Sequence, residues 1–143
     1  MQISSRFTIA IHMLSCMETF GREQKVTSDF LAASIGVNPV IIRKILSQLK
    51  NAGLVEVARG TGGASPARPI DRITFYDVYL AVDLLEEGEL FRFHENPNPE
   101  CPVGKSIHGA LDDKLAQIQK AMEDEMKRHT VADVVKDIPQ CPE

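Results

Sequence analysis

Two kinds of side chain in this sequence could do chemistry: cysteines and clustered arginines. Cys101 stands four residues before Lys105 and ahead of a long helical pattern. A neighbouring cation and a helix N-terminus both favour the thiolate, the form that reacts with oxidants. Cys16 lies in an apolar run where a passive core thiol is the simpler expectation, so it is a secondary redox candidate, and Cys141 sits in a tail. Arg43 and Lys44 share one helical pattern, while Arg59, Arg68 and Arg72 surround a turn containing Gly60, Gly62 and Gly63. Guanidinium groups so placed suit phosphate oxygens and the edge of guanine.

Other chemistries find no complete residue set. A phosphate-cradling P-loop needs Lys-Ser/Thr after its glycines, and none follows here. A dinucleotide fingerprint needs a helix after the glycines, yet Pro66 and Pro69 follow. There is no C-x₂-C or H-x₃-H spacing for zinc, so no metal site is expected. Nothing places a base and an oxyanion site around Cys101, so no enzyme is expected.

The arginines need elements to hold them, and the stretch from Thr27 to Arg68 supplies these. Thr27 or Ser28 can cap a helix carrying Phe30, Leu31, Ala33 and Ile35, and Gly36 can end it. Asn38 can cap the next helix, with Pro39 at its first position, where a missing N–H does no harm. Ile42, Ile45, Leu46 and Leu49 then fall at core spacing. Asn38, Val40, Arg43, Lys44 and Ser47 are left on the first turn and outward face, and Gly53 stops the helix. Leu54, Val55 and Val57 suit a short strand, with Ile73 and Thr74 as its partner across the glycine turn. The order is helix, turn, helix, wing, the layout of a winged helix-turn-helix DNA reader. A solvated polar helix face and an inert hairpin tip are the bland alternatives.

Around this stretch, residues 4–20 form a helical pattern apolar on two sides, which predicts burial between other elements, with His12 packed or interfacial. Thr74 can cap a helix beginning at Phe75, continued by Val78, Tyr79, Val82 and Leu85 and broken at Gly88. Residues 91–104 contain three prolines and read as an irregular loop of the kind that often carries function. Ser106 to about His129 reads as one long helix. Its stripe of Ile107, Leu111, Leu115, Ile118, Met122 and Met126 repeats at intervals of four, four, three, four and four, which suits a coiled-coil-like seam. A small reader offers such a helix little to pack on, so two copies are expected to pair through it. Thr130 can cap a last short helix, VADVVKDI.

The 143 residues carry a net charge of −4, which looks wrong for a DNA reader until the halves are separated. Residues 1–80 hold nine Lys+Arg and six Asp+Glu, a balance of +3, and residues 81–143 hold seven and fourteen, a balance of −7. A basic reader on an acidic body would give this split. Three cysteines without a secretory signal suggest a reducing cytoplasm, and the apolar run Phe7–Met17 is too short to span a bilayer, so no membrane association is expected.

The opening ISSRFTIAIHML, the helix-turn-helix, NAGLVEVARGTGGASPAR at the wing and ITFYDVYLAVD after it resemble the Rrf-two family of bacterial transcription regulators (the IscR, NsrR and CymR type). The run LFRFHENPNPECPVGKSIHGALDD is similar to its YwnA-type branch. The resemblance spans Ile3 to about Ile138 and implies a homodimeric DNA-binding regulator, often a repressor. Iron–sulfur members of the family carry three cysteines in the loop before the long helix. Only Cys101 stands there in this sequence, so no iron–sulfur cluster and no other cofactor is expected.

These readings give a mainly α fold. A winged helix-turn-helix domain with a small β-hairpin wing is expected over 1–88, a sensor-like loop over 89–104, and a long dimerisation helix with a short final helix over 105–143. The expected partners are double-stranded DNA, a second copy of the chain, and a small-molecule or oxidant signal. The expected DNA contacts are Thr27, Ser28, Asn38, Pro39, Val40, Arg43, Lys44, Ser47, Arg59, Gly60, Thr61, Gly62 and Arg68. The alternative function is a winged-helix protein-interaction module without sequence-specific DNA binding.

Overall fold

The computed structural model describes residues 4–60, 62–82, 91 and 94–139. Its elements are α1 (Ser5–Phe20), α2 (Ser28–Ile35), α3 (Pro39–Asn51), β1 (Val55–Val57), β2 (Ala64–Pro66), a 3₁₀ turn (Ile70–Arg72), α4 (Phe75–Val82), α5 (Pro102–Met126) and α6 (Val131–Asp137). Ile3, Leu85, Gly88 and Cys141 lie outside the described residues, as does Thr61. No single helix among the described residues is long and apolar enough to cross a membrane.

Local chemistry sets the helix ends. The Ser4 hydroxyl accepts the Arg6 N–H at the start of α1 (3.1 Å). The Thr27 hydroxyl accepts the Phe30 N–H at the start of α2 (3.2 Å), and Asn38 Oδ1 accepts the Val40 N–H at the start of α3 (2.8 Å). Each bond satisfies an amide that the helix itself leaves unpaired. Gly36, at φ 81°, ends α2 in the left-handed region.

The core gathers one face from each helix around α1. Met13, Leu14 and Met17 of α1 meet Leu31, Ile42, Ile45, Leu49, Val78 and Val82, all almost wholly enclosed. His12, expected to be packed or interfacial, is exposed in the single chain, and its Nε2 lies 3.2 Å from the Ser34 hydroxyl.

The wing pairs differently from the sequence expectation. β1 runs antiparallel to β2, with Val55 opposite Pro66 and Val57 opposite Ala64. Ile73 and Thr74 are not the partner strand. Positive φ at Gly60 and Gly63 reverses the chain early. The Ala58 N–H then donates to the Gly63 carbonyl (2.9 Å), and the Ala67 N–H donates to the Leu54 carbonyl (2.9 Å). Ile73 and Thr74 instead meet the far end of the chain. Thr74 forms a β-bridge with Thr130, the Val131 N–H donates to the Ile73 carbonyl (3.0 Å), and the Phe75 N–H donates to the His129 carbonyl (2.8 Å). α6 follows, capped reciprocally by Thr130 and Asp133. It packs on α1 and the 3₁₀ turn and places Val131 in the core.

α5 also departs from expectation. It starts at Pro102 rather than Ser106 and ends at Met126 rather than near His129. Pro102 is read as a breaker in a loop, but a proline at the first helical position is favourable, and the Lys105 N–H closes the first turn onto the Cys101 carbonyl (2.8 Å). This 25-residue helix has no buried residue. Ile107, Leu111, Leu115, Met122 and Met126 are half-buried, and Ile118 is 52% exposed. At its end, Lys127 Nζ sits 4.7 Å above the centre of the Tyr76 ring, tying α5 to α4.

Candidate nucleic-acid interface

Gly36 turns the chain so that α2 and α3 meet at a bend of 114°, within the range of helix-turn-helix pairs. With Ile42, Ile45, Leu46 and Leu49 buried, α3 must turn Val40, Arg43, Lys44 and Ser47 outward, and all four are exposed. Val40, Lys44 and Ser47, spaced by four and three residues, form one stripe along the helix. Arg43 lies to one side, where it lines a cleft of about 260 Å³. Thr27, Ser28 and Asp29 of the α2 start form another wall of that cleft, and Val57, Gly60 and Gly63 of the wing close it.

The wing is seated on the main chain ahead of α2. The Ala64 N–H donates to the Val26 carbonyl (2.9 Å). A Cβ on Gly63 would fall 2.8 Å from Val26 N and 3.1 Å from Val26 O, so only glycine allows this approach at φ 80°. Arg59 and Gly60 project at the exposed tip, and Gly62 packs against Ala58.

The expected contact residues therefore divide. Asn38, Val40, Arg43, Lys44 and Ser47 share the exposed start and face of α3, and Pro39 is half-buried beside them. Thr27 and Ser28 are half-buried in the cleft wall, and the Thr27 hydroxyl is engaged as the α2 cap. Among the described residues Arg43, Lys44 and Arg59 have no ion-pair partner, whereas Arg68 lies 3.8 Å from Asp77 and donates to the Arg72 carbonyl (3.5 Å). Arg68 is thus held at the base of the wing. Sequence reasoning missed Val26 as the wing's seat and Asp77 as the partner of Arg68. It also missed Ile41, which is exposed on α3. A count of helical positions from the buried Ile42 would have found Ile41; the other two depend on contacts between distant segments.

The cysteines occupy different settings. Cys101 is the N-cap residue of α5. The nearby backbone N–H groups of Gly104 and then Val103, at the open first turn of α5, hold its thiol below the ordinary thiol range. Gly104 permits this turn, because a Cβ there would run into the Asn98 carbonyl. Cys16 is buried in α1, its Sγ 3.4 Å from the Ser34 hydroxyl. The rings of His94 and His108 stack at 5.8 Å between centroids. Among the described residues no three His, Cys, Asp or Glu side chains converge on a metal-sized site.

Two helices joined by a tight glycine turn, a seated wing and a cationic face on the second helix with no ion-pair partner among the described residues define a winged helix-turn-helix protein of the DNA-reading class. The family model Rrf2, the Rrf-two family of the sequence reading, is described as an iron-dependent transcriptional regulator and matches residues 3–137. The chain belongs to this family, which comprises transcriptional regulators rather than enzymes. It is 41% identical over 133 residues to the HTH-type transcriptional regulator YwnA of Bacillus subtilis (strain 168), covering 93% of this chain and 96% of YwnA. A crystal structure described as that of a DNA binding protein superposes with a TM-score of 0.73 at 35% identity, covering 91% of this chain and 98% of that one. CymR (YrzC), described as the global cysteine regulator of B. subtilis, shares the fold with a TM-score of 0.72 at 18% identity, over 97% of this chain and 99% of that one.

The family description raises iron. The described residues do not fit an iron–sulfur cluster, which normally takes four thiolates. Cys101 stands alone at the start of α5, and Cys16 is enclosed on Ser34.

Proposed function

We propose that two copies of the chain pair along α5 and bind a pseudo-palindromic duplex, acting in the cytoplasm as a repressor. Each copy inserts α3 into the major groove and lays its wing on the flanking backbone. The observation that carries this reading is the exposed α3 face, where Arg43 and Lys44 have no ion-pair partner among the described residues, beside the cleft formed by α2 and the wing. Pairing through α5 is supported by a 25-residue helix with an apolar stripe and no buried residue. The repressor sense rests on the family resemblance; occupying a promoter is enough to produce it. The working division is a reader over 1–88, a sensor loop over 89–104, and over 105–143 a dimerisation helix followed by the short α6, which returns to pack on the reader.

In this reading Arg43 contacts a base, and Asn38, Lys44 and Arg59 contact phosphates. Arg68 supports the wing from its base through Asp77. Arg43→Ala is expected to weaken the selected site by about 1–3 kcal/mol and relax specificity at one base pair. Lys44→Ala is expected to weaken every sequence alike and flatten the salt dependence by about one unit. Fluorescence anisotropy on a duplex selected from a random library, against random competitor and across salt, measures both. Equal losses on selected and random DNA for Arg43→Ala would contradict its base-reading role. No preference for any duplex would favour the protein-interaction module instead.

The proposed signal is oxidation at Cys101. Its thiolate attacks a peroxide oxygen, the O–O bond breaks with loss of hydroxide, and a sulfenic acid forms. Since amides at the α5 start stabilise the thiolate, alkylation of Cys101 by iodoacetamide should rise with pH at lower pH in the folded chain than in the denatured chain. Peptide mass spectrometry resolves it from Cys16, which is buried and expected to react slowly. Coincident pH profiles would remove the basis for this signal, and Cys101→Ser with an intact peroxide response on DNA would remove the signal itself.

A further inference from the structure

The first turn of α3 shows two large apolar side chains to solvent, Val40 at 56% and Ile41 at 40% exposure. Neither belongs to the core. Val40 shares the outward stripe with Lys44 and Ser47, and by helical rotation Ile41 flanks it on the side away from Arg43. Both are β-branched, so their methyl groups are held in few rotamers. Polar residues would serve a water-facing turn better, and the neighbours Asn38, Arg43 and Lys44 are indeed polar and exposed.

The surrounding charge indicates the occupant. Two cations, Arg43 and Lys44, without ion-pair partners among the described residues border the apolar pair, which suits a polyanion that carries small apolar groups among its charges. Duplex DNA has one such group in the major groove, the 5-methyl of thymine. We infer that Val40, with Ile41 beside it, reads thymine methyl groups, so that each half-site carries thymine beneath the start of α3. The inference rests on the DNA-reading function proposed above and adds the chemical feature that is recognised.

The test begins with duplexes selected from a random library by the full chain. Thymines in the selected half-sites are then replaced one at a time by deoxyuridine, which keeps the base pair and removes only the methyl. Loss of one contacted methyl is expected to weaken binding about four-fold, and loss in both half-sites about fifteen-fold. Val40→Ser, a change at an exposed position, should bind the thymine and deoxyuridine duplexes equally, and Ile41→Ser should narrow their difference. A selected site whose affinity ignores every deoxyuridine replacement would overturn the inference while leaving DNA reading intact. So would a thymine preference that survives both serine variants. Failure to select any duplex would overturn the DNA reading and this inference with it.

Discussion

If two copies pair along α5 as proposed, Leu115→Asp combined with Ile118→Asp is expected to leave a monomer and to lower the affinity for the selected duplex at least about 100-fold. Two linked readers bind the second half-site intramolecularly, and that gain is typically about 10²–10⁴. Leu115 is half-buried and Ile118 is 52% exposed within one chain. Neither is part of the core. Aspartates there would meet their own copies across a two-fold seam, where burial without a counter-charge is strongly unfavourable. Sedimentation velocity reads the mass, circular dichroism reports whether the helices survive, and anisotropy reads the affinity. A double variant that stays dimeric with unchanged affinity would place the seam on another surface.

Gly63→Ala is expected to destabilise the protein by about 2–4 kcal/mol, and Gly60→Ala by about 1 kcal/mol. Both glycines have positive φ, 70° at Gly60 and 80° at Gly63, so both substitutions meet the same intrinsic backbone penalty. They differ in surroundings. A Cβ at Gly60 has nothing within 4 Å, whereas one at Gly63 presses on the backbone of Val26, which cannot rotate aside. The Gly63 variant must lift the wing and break the Ala64–Val26 hydrogen bond, so DNA affinity should fall along with stability. Urea denaturation midpoints compare the pair directly. Equal midpoints would mean that the wing is not held by its seat on Val26.

The parts of this fold that were legible in the sequence are those set by neighbouring residues. Thr27, Gly36, Asn38 and Pro39 act within a few positions of themselves, so the two reader helices and their turn could be bounded closely. The partner of β1 could not. Ala64–Pro66 has little strand character, whereas Ile73–Thr74 has much, and a hydrogen bond to Val26 plus two left-handed glycines decided the pairing. The start of α5 was hidden because Pro102 and Gly104 both read as loop residues. At the candidate interface, helical spacing predicted which side of α3 faces outward, including Val40, Arg43, Lys44 and Ser47. It did not predict that Arg68 would be drawn onto Asp77, since that pairing requires α4 to be in place.

The bridge between Thr74 and Thr130 bears on how the protein is made. Val131, which fills the reader's core, is translated only after the whole of α5. A nascent chain therefore exposes the helix-turn-helix and the wing, then α5, before this core can close. Messages that stop early, or proteolysis between α5 and α6, yield chains that retain every residue of the proposed DNA-facing surface but lack the clasp that α6 makes on the core. On the proposed function, competence to occupy an operator is thereby linked to translation through α6, and chains cut before α6 are expected to compete poorly for the same sites.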